Sequence, residues 1–170
     1  TGDLGDIAQV VESVAMGALD FPAPTSIGFL GHSRGGGLGV LAAAAESRIG
    51  ALVTWAAISD VHRFPPEEVA AWRVRGQLDI VNSRTGQVLP IFTDVLDDVI
   101  QHGSDSLDIQ AAAGRLGAPW LILHGESDVT VPVAEARALH AAGGDTTELL
   151  VVPAAGHTFA ANLGVVAPGV

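Results

Sequence analysis

Ser26-Ile27-Gly28-Phe29-Leu30-Gly31-His32-Ser33-Arg34-Gly35-Gly36-Gly37 is the stretch on which the fold turns. Its first half is a short apolar run without alternation, the pattern of a strand buried on both faces. Its second half opens a small, apolar segment from Gly35 to Ala45 that suits a helix lying close against a sheet. Between them, Gly31-His32-Ser33-Arg34-Gly35 fits G-x-S-x-G at the strand–turn–helix junction the motif requires. A serine there stands at the C-terminal end of a strand and at a helix N-terminus, where partial positive charge favours a developing oxyanion. Ser33 is therefore the candidate nucleophile, and the backbone N–H of Arg34 is the natural first oxyanion donor. The competing reading makes Ser33 a helix N-cap in a tight turn, with no chemistry attached.

Working outward, the same unit repeats. Ala51–Ala56, Pro119–His124 and Glu148–Val152 read as three further buried strands, and Val133–Ala142 as a helix between the last two. Asp6–Leu19 carries Ile7, Val10, Val11, Val14 and Ala18 at helical spacing and is expected to end at Pro22-Ala23-Pro24. Strands alternating with helices predict an α/β fold with a mostly parallel sheet. From Ser59 to Gly114 the rhythm breaks into Pro65-Pro66, Trp72, an Asn82-Ser83-Arg84-Thr85-Gly86 turn cluster, and helical stretches near Thr93–Gln101 and Asp108–Ala113. An excursion of that length reads either as an ordinary long insertion or as a cap over a cleft. One domain with this excursion is the expected organisation.

Two loops after strands supply partners for Ser33. His124-Gly125-Glu126-Ser127-Asp128-Val129-Thr130-Val131-Pro132 follows the third strand and puts Asp128 at the same sheet edge, with Glu126 as the competing carboxylate. Asp128 also suits a turn or cap ahead of the Pro132 helix. Ala154-Ala155-Gly156-His157-Thr158-Phe159 follows the fourth strand and offers His157, otherwise a plain loop residue. His32 is expected to point away from Ser33, and His124 merely ends a strand. His62, His102 and His140 lie in the excursion or in a helix. Trp55, Phe64, Trp72, Phe92 and Phe159 suit an acyl pocket or, more commonly, plain core.

Composition removes other classes. Across 170 residues the formal net charge is -11 with 8 Lys and Arg, so nucleic acid and an acidic membrane surface are disfavoured as partners. There is no cysteine, which excludes disulfides, thiolate metal sites and a Cys nucleophile. No metal-ligand spacing such as H-E-x-x-H occurs, and Gly35-Gly36-Gly37 lacks the Lys-Ser/Thr of a phosphate loop, so no metal and no cofactor are expected. No apolar run is long enough to span a membrane. The chain opens on acidic Thr1–Asp6, without a signal peptide's basic region and without an initiator Met. A cytoplasmic protein whose gene product was trimmed or begins further upstream is the expectation.

The order Ser…Asp…His, each just after a successive strand, resembles the α/β-hydrolase fold. Within it, Gly31–Gly37 (GHSRGGG), His124–Pro132 (HGESDVTVP) and Gly156–Phe159 (GHTF) resemble the dienelactone-hydrolase-like and prolyl-oligopeptidase-like serine hydrolases. The resemblance implies a serine triad of Ser33, His157 and Asp128 working through an acyl-enzyme, with small carboxylic esters as substrates. Dienelactone hydrolases proper use cysteine, so the serine favours ordinary esters. Departures from the family matter as much. Its members normally carry further strands before the segment matching Asp3–Leu19, and a helix after the catalytic histidine, whereas Asn162–Val170 has no helical period. The expectation is a shortened fold of about four parallel strands in sequence order. A second oxyanion donor, which the family takes from an early loop, is then missing, predicting a slow enzyme. The Ser26–Gly31 strand becomes an edge, predicting a homodimer through that edge or its flanking helix. An inactive hydrolase remnant serving as an interaction module is the alternative function.

Overall fold

The computed structural model describes residues 1–82 and 85–159. The Ser83-Arg84 pair of the predicted turn and the predicted non-helical end, Asn162–Val170, lie outside the described residues. Contacts divide the chain into two compact units, residues 1–60 with 108–170, and residues 61–107. The predicted excursion, 59–114, therefore overran the second unit at both ends: its last helix, Ile109–Ala113, belongs to the first unit.

The first unit is built on four strands, β1 (Ile27–His32), β2 (Ile49–Trp55), β5 (Trp120–Gly125) and β6 (Thr147–Val152), hydrogen-bonded in the order β1-β2-β5-β6. Every pairing is parallel, so all four C-terminal ends share one edge. Helices α2 (Arg34–Ala45) and α6 (Val133–Gly143) close the β1–β2 and β5–β6 crossovers, and α5 (Ile109–Ala113) packs against both helices. The glycines of α2 explain its closeness to the sheet. A Cβ on Gly39 would lie 2.8 Å from the Phe29 ring, and one on Gly36 would lie 2.5 Å from the Ala57 Cβ. The core adds one polar pair: Trp120 donates its indole N–H to the Thr54 hydroxyl at 2.9 Å, both residues being buried.

Helix α1 (Gly2–Ala15) starts four residues before the predicted Asp6 and ends well ahead of Pro22. Gly17, at φ 64°, turns the chain, and Ala18 N–H reaches back to the Ser13 carbonyl at 2.9 Å. A left-handed glycine thus ends the helix before the prolines are reached. α1 packs on α2. Strand β1 pairs only with β2 among the described residues, and its Leu30 side chain is exposed. An apolar hollow of about 410 Å³ lies along β1, lined by Ile7, Val10, Val11 and Val14 of α1 with Ile27 and Phe29.

The second unit departs from the helical excursion that was predicted. It holds α3 (Pro66–Arg75), a β-hairpin of β3 (Gln77–Val81) and β4 (Val88–Phe92), and α4 (Thr93–His102). Pro66 begins α3 where its missing N–H costs nothing, and Gly76 ends it at φ 76°. Asn82, Thr85 and Gly86 of the predicted turn cluster fall between β3 and β4, with Asn82 N–H bonded to the Gln87 carbonyl at 2.8 Å. Trp72, Leu78 and Leu96 form this unit's own small core, and Phe64 meets Trp72 edge-on at 5.4 Å. No described helix is long and apolar enough to cross a membrane.

Candidate active site

Three loops meet at the C-terminal edge of the parallel sheet. The first is the turn between β1 and α2. Gly31 carries no side chain because a Cβ would lie 2.2 Å from the Gly35 carbonyl oxygen and 2.8 Å from the Gly36 Cα. Ser33 sits at φ 56°, ψ -123°, a conformation that non-glycine residues rarely adopt. The surroundings hold it there: Ser33 N–H donates to the Trp55 carbonyl at 2.8 Å, and its own carbonyl accepts from Gly36 at 3.0 Å. Arg34 follows as the first residue of α2, where a backbone N–H has no acceptor within the helix. Its guanidinium is exposed and paired with Asp3.

The second loop follows β5. Asp128 is buried, and its Oδ1 accepts the N–H groups of Thr130 and Val131, each at 2.9 Å. Its Oδ2 faces the third loop, where it accepts from His157 Nδ1 at 2.8 Å. Burial acts to raise the Asp128 pKa, but the Val131 N–H, His157 and the Thr130 N–H outweigh it and hold the carboxyl below its ordinary value. The competing carboxylate, Glu126, is exposed and accepts the Ala154 N–H at 3.3 Å instead. Gly125 lets the two loops close on each other: a Cβ there would lie 2.4 Å from the Ala155 carbonyl oxygen. Ser127 N–H bonds that same carbonyl at 2.9 Å.

The tautomer of His157 follows from this bond. A carboxylate below its ordinary pKa is only an acceptor, so Nδ1 carries the hydrogen and a neutral ring keeps Nε2 free as a base. The imidazole side chain is 18% exposed while Asp128's is fully enclosed. One face of the pair is therefore open to solvent and the other sealed.

Sequence reasoning missed the neighbours of His157. His32 does not point away: its Nε2 lies 3.1 Å from the His157 carbonyl oxygen, and the two rings are 4.7 Å apart. His32 is the last residue of β1, in register with Trp55 of β2, and its ring lies beside the loop that follows β6. Trp55, at the end of β2, meets His32 edge-on at 6.2 Å and Phe159 at 5.1 Å. Phe159 is fully buried with Ala56, Leu123, Val152 and Ala155, forming an apolar floor beneath the loops. Adjacency to Ser33 was the available signal for His32; nothing in the sequence singled out Trp55 over other aromatics.

Neither a protein-family model nor a curated protein sequence matches the chain. Solved structures do. Est1E from Butyrivibrio proteoclasticus is 23% identical with a TM-score of 0.70, over 96% of this chain and 64% of that one. DcsB, solved in complex with its substrate analogue, is 18% identical with a TM-score of 0.75, over 96% and 67%. The esterase domain of a Rhodothermus marinus protein is 16% identical with a TM-score of 0.63, over 92% and 61%. This is an α/β-hydrolase fold, with a parallel sheet of four strands among the described residues. The chain spans between three-fifths and two-thirds of the length of these solved structures. In α/β-hydrolase terms, the three loops above follow three parallel strands of one sheet at their C-terminal ends.

Proposed function

We propose that this chain is the triad-bearing part of a serine hydrolase acting on small carboxylic esters, with Ser33 as nucleophile, His157 as general base and Asp128 as the orienting acid. The observation that carries the reading is the 2.8 Å bond from His157 Nδ1 to a buried Asp128, on the sheet edge that also bears the strained Ser33. A bond of that kind leaves an imidazole with one committed nitrogen and one basic nitrogen, which is what a general base needs. The resemblance in fold to esterases and lipases agrees with it.

In the first half-reaction Ser33 Oγ attacks the ester carbonyl carbon while its proton passes to His157 Nε2. Arg34 N–H donates to the resulting oxyanion, aided by the N-terminal end of α2. Collapse breaks the bond to the alkoxide, which takes the proton from His157 and leaves as alcohol. In the second half-reaction water gives its proton to His157 and attacks the acyl-enzyme, releasing the acid and restoring Ser33. Asp128 stays ionised throughout and stabilises the imidazolium.

The edge of β1 that has no partner strand among the described residues belongs to the same proposal: a second copy pairs antiparallel along it and fills the adjoining hollow lined by Val10 and Phe29. A concentration-independent monomer in sedimentation refutes that part alone.

Hydrolysis of short-chain p-nitrophenyl esters by the 170-residue chain and by Ser33→Ala tests the main reading. Loss of turnover and of fluorophosphonate labelling in the variant supports it. Equal turnover in both, or no labelling of the parent, overturns it.

A further inference from the structure

We propose that His124 is a positioning residue for this site: it fixes Val131, and through Val131 the orientation of the carboxylate that Asp128 presents to His157. Only its kinetic test rests on the serine-hydrolase reading above; its spectroscopic test does not.

His124 is the penultimate residue of β5 and is fully buried. Its Nε2 lies 2.8 Å from the Val131 carbonyl oxygen. A carbonyl only accepts, so Nε2 carries the hydrogen and donates it. Val131 is thereby held on both sides, its carbonyl by His124 and its N–H by Asp128 Oδ1 at 2.9 Å. The same Nε2 lies 3.6 Å from Asp128 Oδ2. That is too long for a hydrogen bond, but it brings a positive N–H edge toward the oxygen that serves His157. The result is a closed circuit from β5 through Val131 to Asp128, with Oδ1 committed to the loop and Oδ2 left for His157.

The rest of the environment shows that packing alone does not account for a histidine here. Its Nδ1 is buried and has no hydrogen-bond partner among the described residues. A buried polar atom without a partner costs free energy that an aliphatic side chain of similar size avoids. The ring therefore carries a polar liability on one nitrogen while the other nitrogen holds the loop of the acid. A carboxylate free to rotate would share its two oxygens between Thr130, Val131 and His157, and His157 would lose its tautomeric preference.

Three variants test this. His124→Leu removes the donor and roughly keeps the volume; His124→Gln keeps an N–H at the reach of Nε2; His124→Asn offers one only at the reach of Nδ1. The direct readout is the tautomer of His157 from side-chain nitrogen chemical shifts, assigned with His157→Asn. The parent and His124→Gln are expected to keep the hydrogen on Nδ1, while His124→Leu and His124→Asn lose that preference. In ester hydrolysis, kcat is expected to fall about 10²-fold in the Leu variant with KM nearly unchanged, the signature of a misplaced catalytic group. The Gln variant is expected to recover most of it. A folded Leu variant with the parent's tautomer overturns the proposal. If the Leu variant does not fold, the Gln and Asn pair decides, and equal His157 tautomers in those two overturn it. If the parent hydrolyses no ester, the serine-hydrolase reading fails while the tautomer measurement still decides the role of His124.

Discussion

Gly31→Ala is expected to be among the most damaging single-methyl additions in the chain. The Cβ would meet the Gly35 carbonyl oxygen at 2.2 Å, some 1.2 Å short of the 3.4 Å at which ordinary contact begins. The Gly35 carbonyl carbon at 2.7 Å and the Gly36 Cα at 2.8 Å block the way out. All three are backbone atoms of the first turn of α2, so no side chain can rotate aside. Either the turn opens or α2 slides along the sheet. The slide is obstructed as well, because Gly36, Gly37 and Gly39 already lie against Ala57, Ile58 and Phe29. Overpacking against movable side chains costs about 1–3 kcal/mol, and a backbone clash falls at or above the top of that range. For a urea dependence of about 2 kcal/mol per molar, a loss of about 3 kcal/mol lowers the midpoint by roughly 1.5 M.

Gly35→Ala is the control within the same motif. A Cβ there meets nothing within 4 Å, and alanine in a helix is favoured over glycine by up to about 1 kcal/mol. Its midpoint is expected to hold or rise. Ester turnover adds a second axis, since moving Ser33 by about 1 Å costs on the order of 10²-fold. Urea unfolding followed by tryptophan fluorescence measures both variants in one experiment. Equal midpoints for Gly31→Ala and Gly35→Ala would refute the steric account and leave the glycine at position 31 unexplained.

Two further outcomes are expected from buried polar contacts. Thr54→Val removes the acceptor for the Trp120 indole N–H while keeping the shape, leaving a buried donor unpaired. The expected loss is about 1–3 kcal/mol in chemical unfolding, and Thr54→Ser is expected to recover part of it. Asp128 has a folded pKa below its ordinary 3.8, so its ionised form is favoured by folding. That stabilisation is fully present above about pH 4 and is lost as pH falls through the lower folded value. Unfolding free energies of the parent and Asp128→Asn are therefore expected to converge as the pH is taken below 4, and a constant gap would contradict the sign. In ester turnover the same variant, which stabilises the wrong His157 tautomer, is expected to lose on the order of 10³–10⁴-fold.

The sheet was legible because its strands are short apolar runs bounded by glycine and proline. Ile27–His32, Trp120–Gly125 and Thr147–Val152 fall within a residue or so of the runs read from the sequence, and their order in the sheet is the order in the chain. Helix α4 was legible from its period, and Asp128 and His157 from their place after strands. The hairpin was not. Gln77-Leu78-Asp79-Ile80-Val81 alternates like a strand, but an excursion rich in helix formers hid it, and its loop residues look the same in any turn. The role of His32 was hidden for a different reason. His32 ends β1, and its contact with His157, 125 residues on, exists only once the loop after β6 has folded back beside it. His124 looked like the last residue of a strand because its contact, seven residues on in Val131, exists only after the loop has folded back.

The backbone itself marks the edge where these residues meet. Four non-glycine residues among those described have positive φ: Ser33 at 56°, Ala56 at 50°, Ala154 at 56° and Phe159 at 56°. Ser33 follows β1, Ala56 follows β2, Ala154 lies two residues past β6, and Phe159 lies two residues past His157. Each such conformation costs about 1–3 kcal/mol, and it persists only where neighbouring structure over-determines it. Here the neighbours do so strand by strand. Ser33 N–H is held by the end of β2, Ala56 N–H by Leu123 of β5 at 2.9 Å, and the loops after β5 and β6 by each other through Ser127 and Ala155. Ser33 and Ala56 are thus each fixed by the next strand across the sheet. Strain held this way cannot relax at one residue without breaking a bond to its neighbour. For a domain whose net stability is small, carrying all of it on one edge is costly, and the proposed pre-setting of Ser33 and His157 for chemistry would give that cost a physical reason.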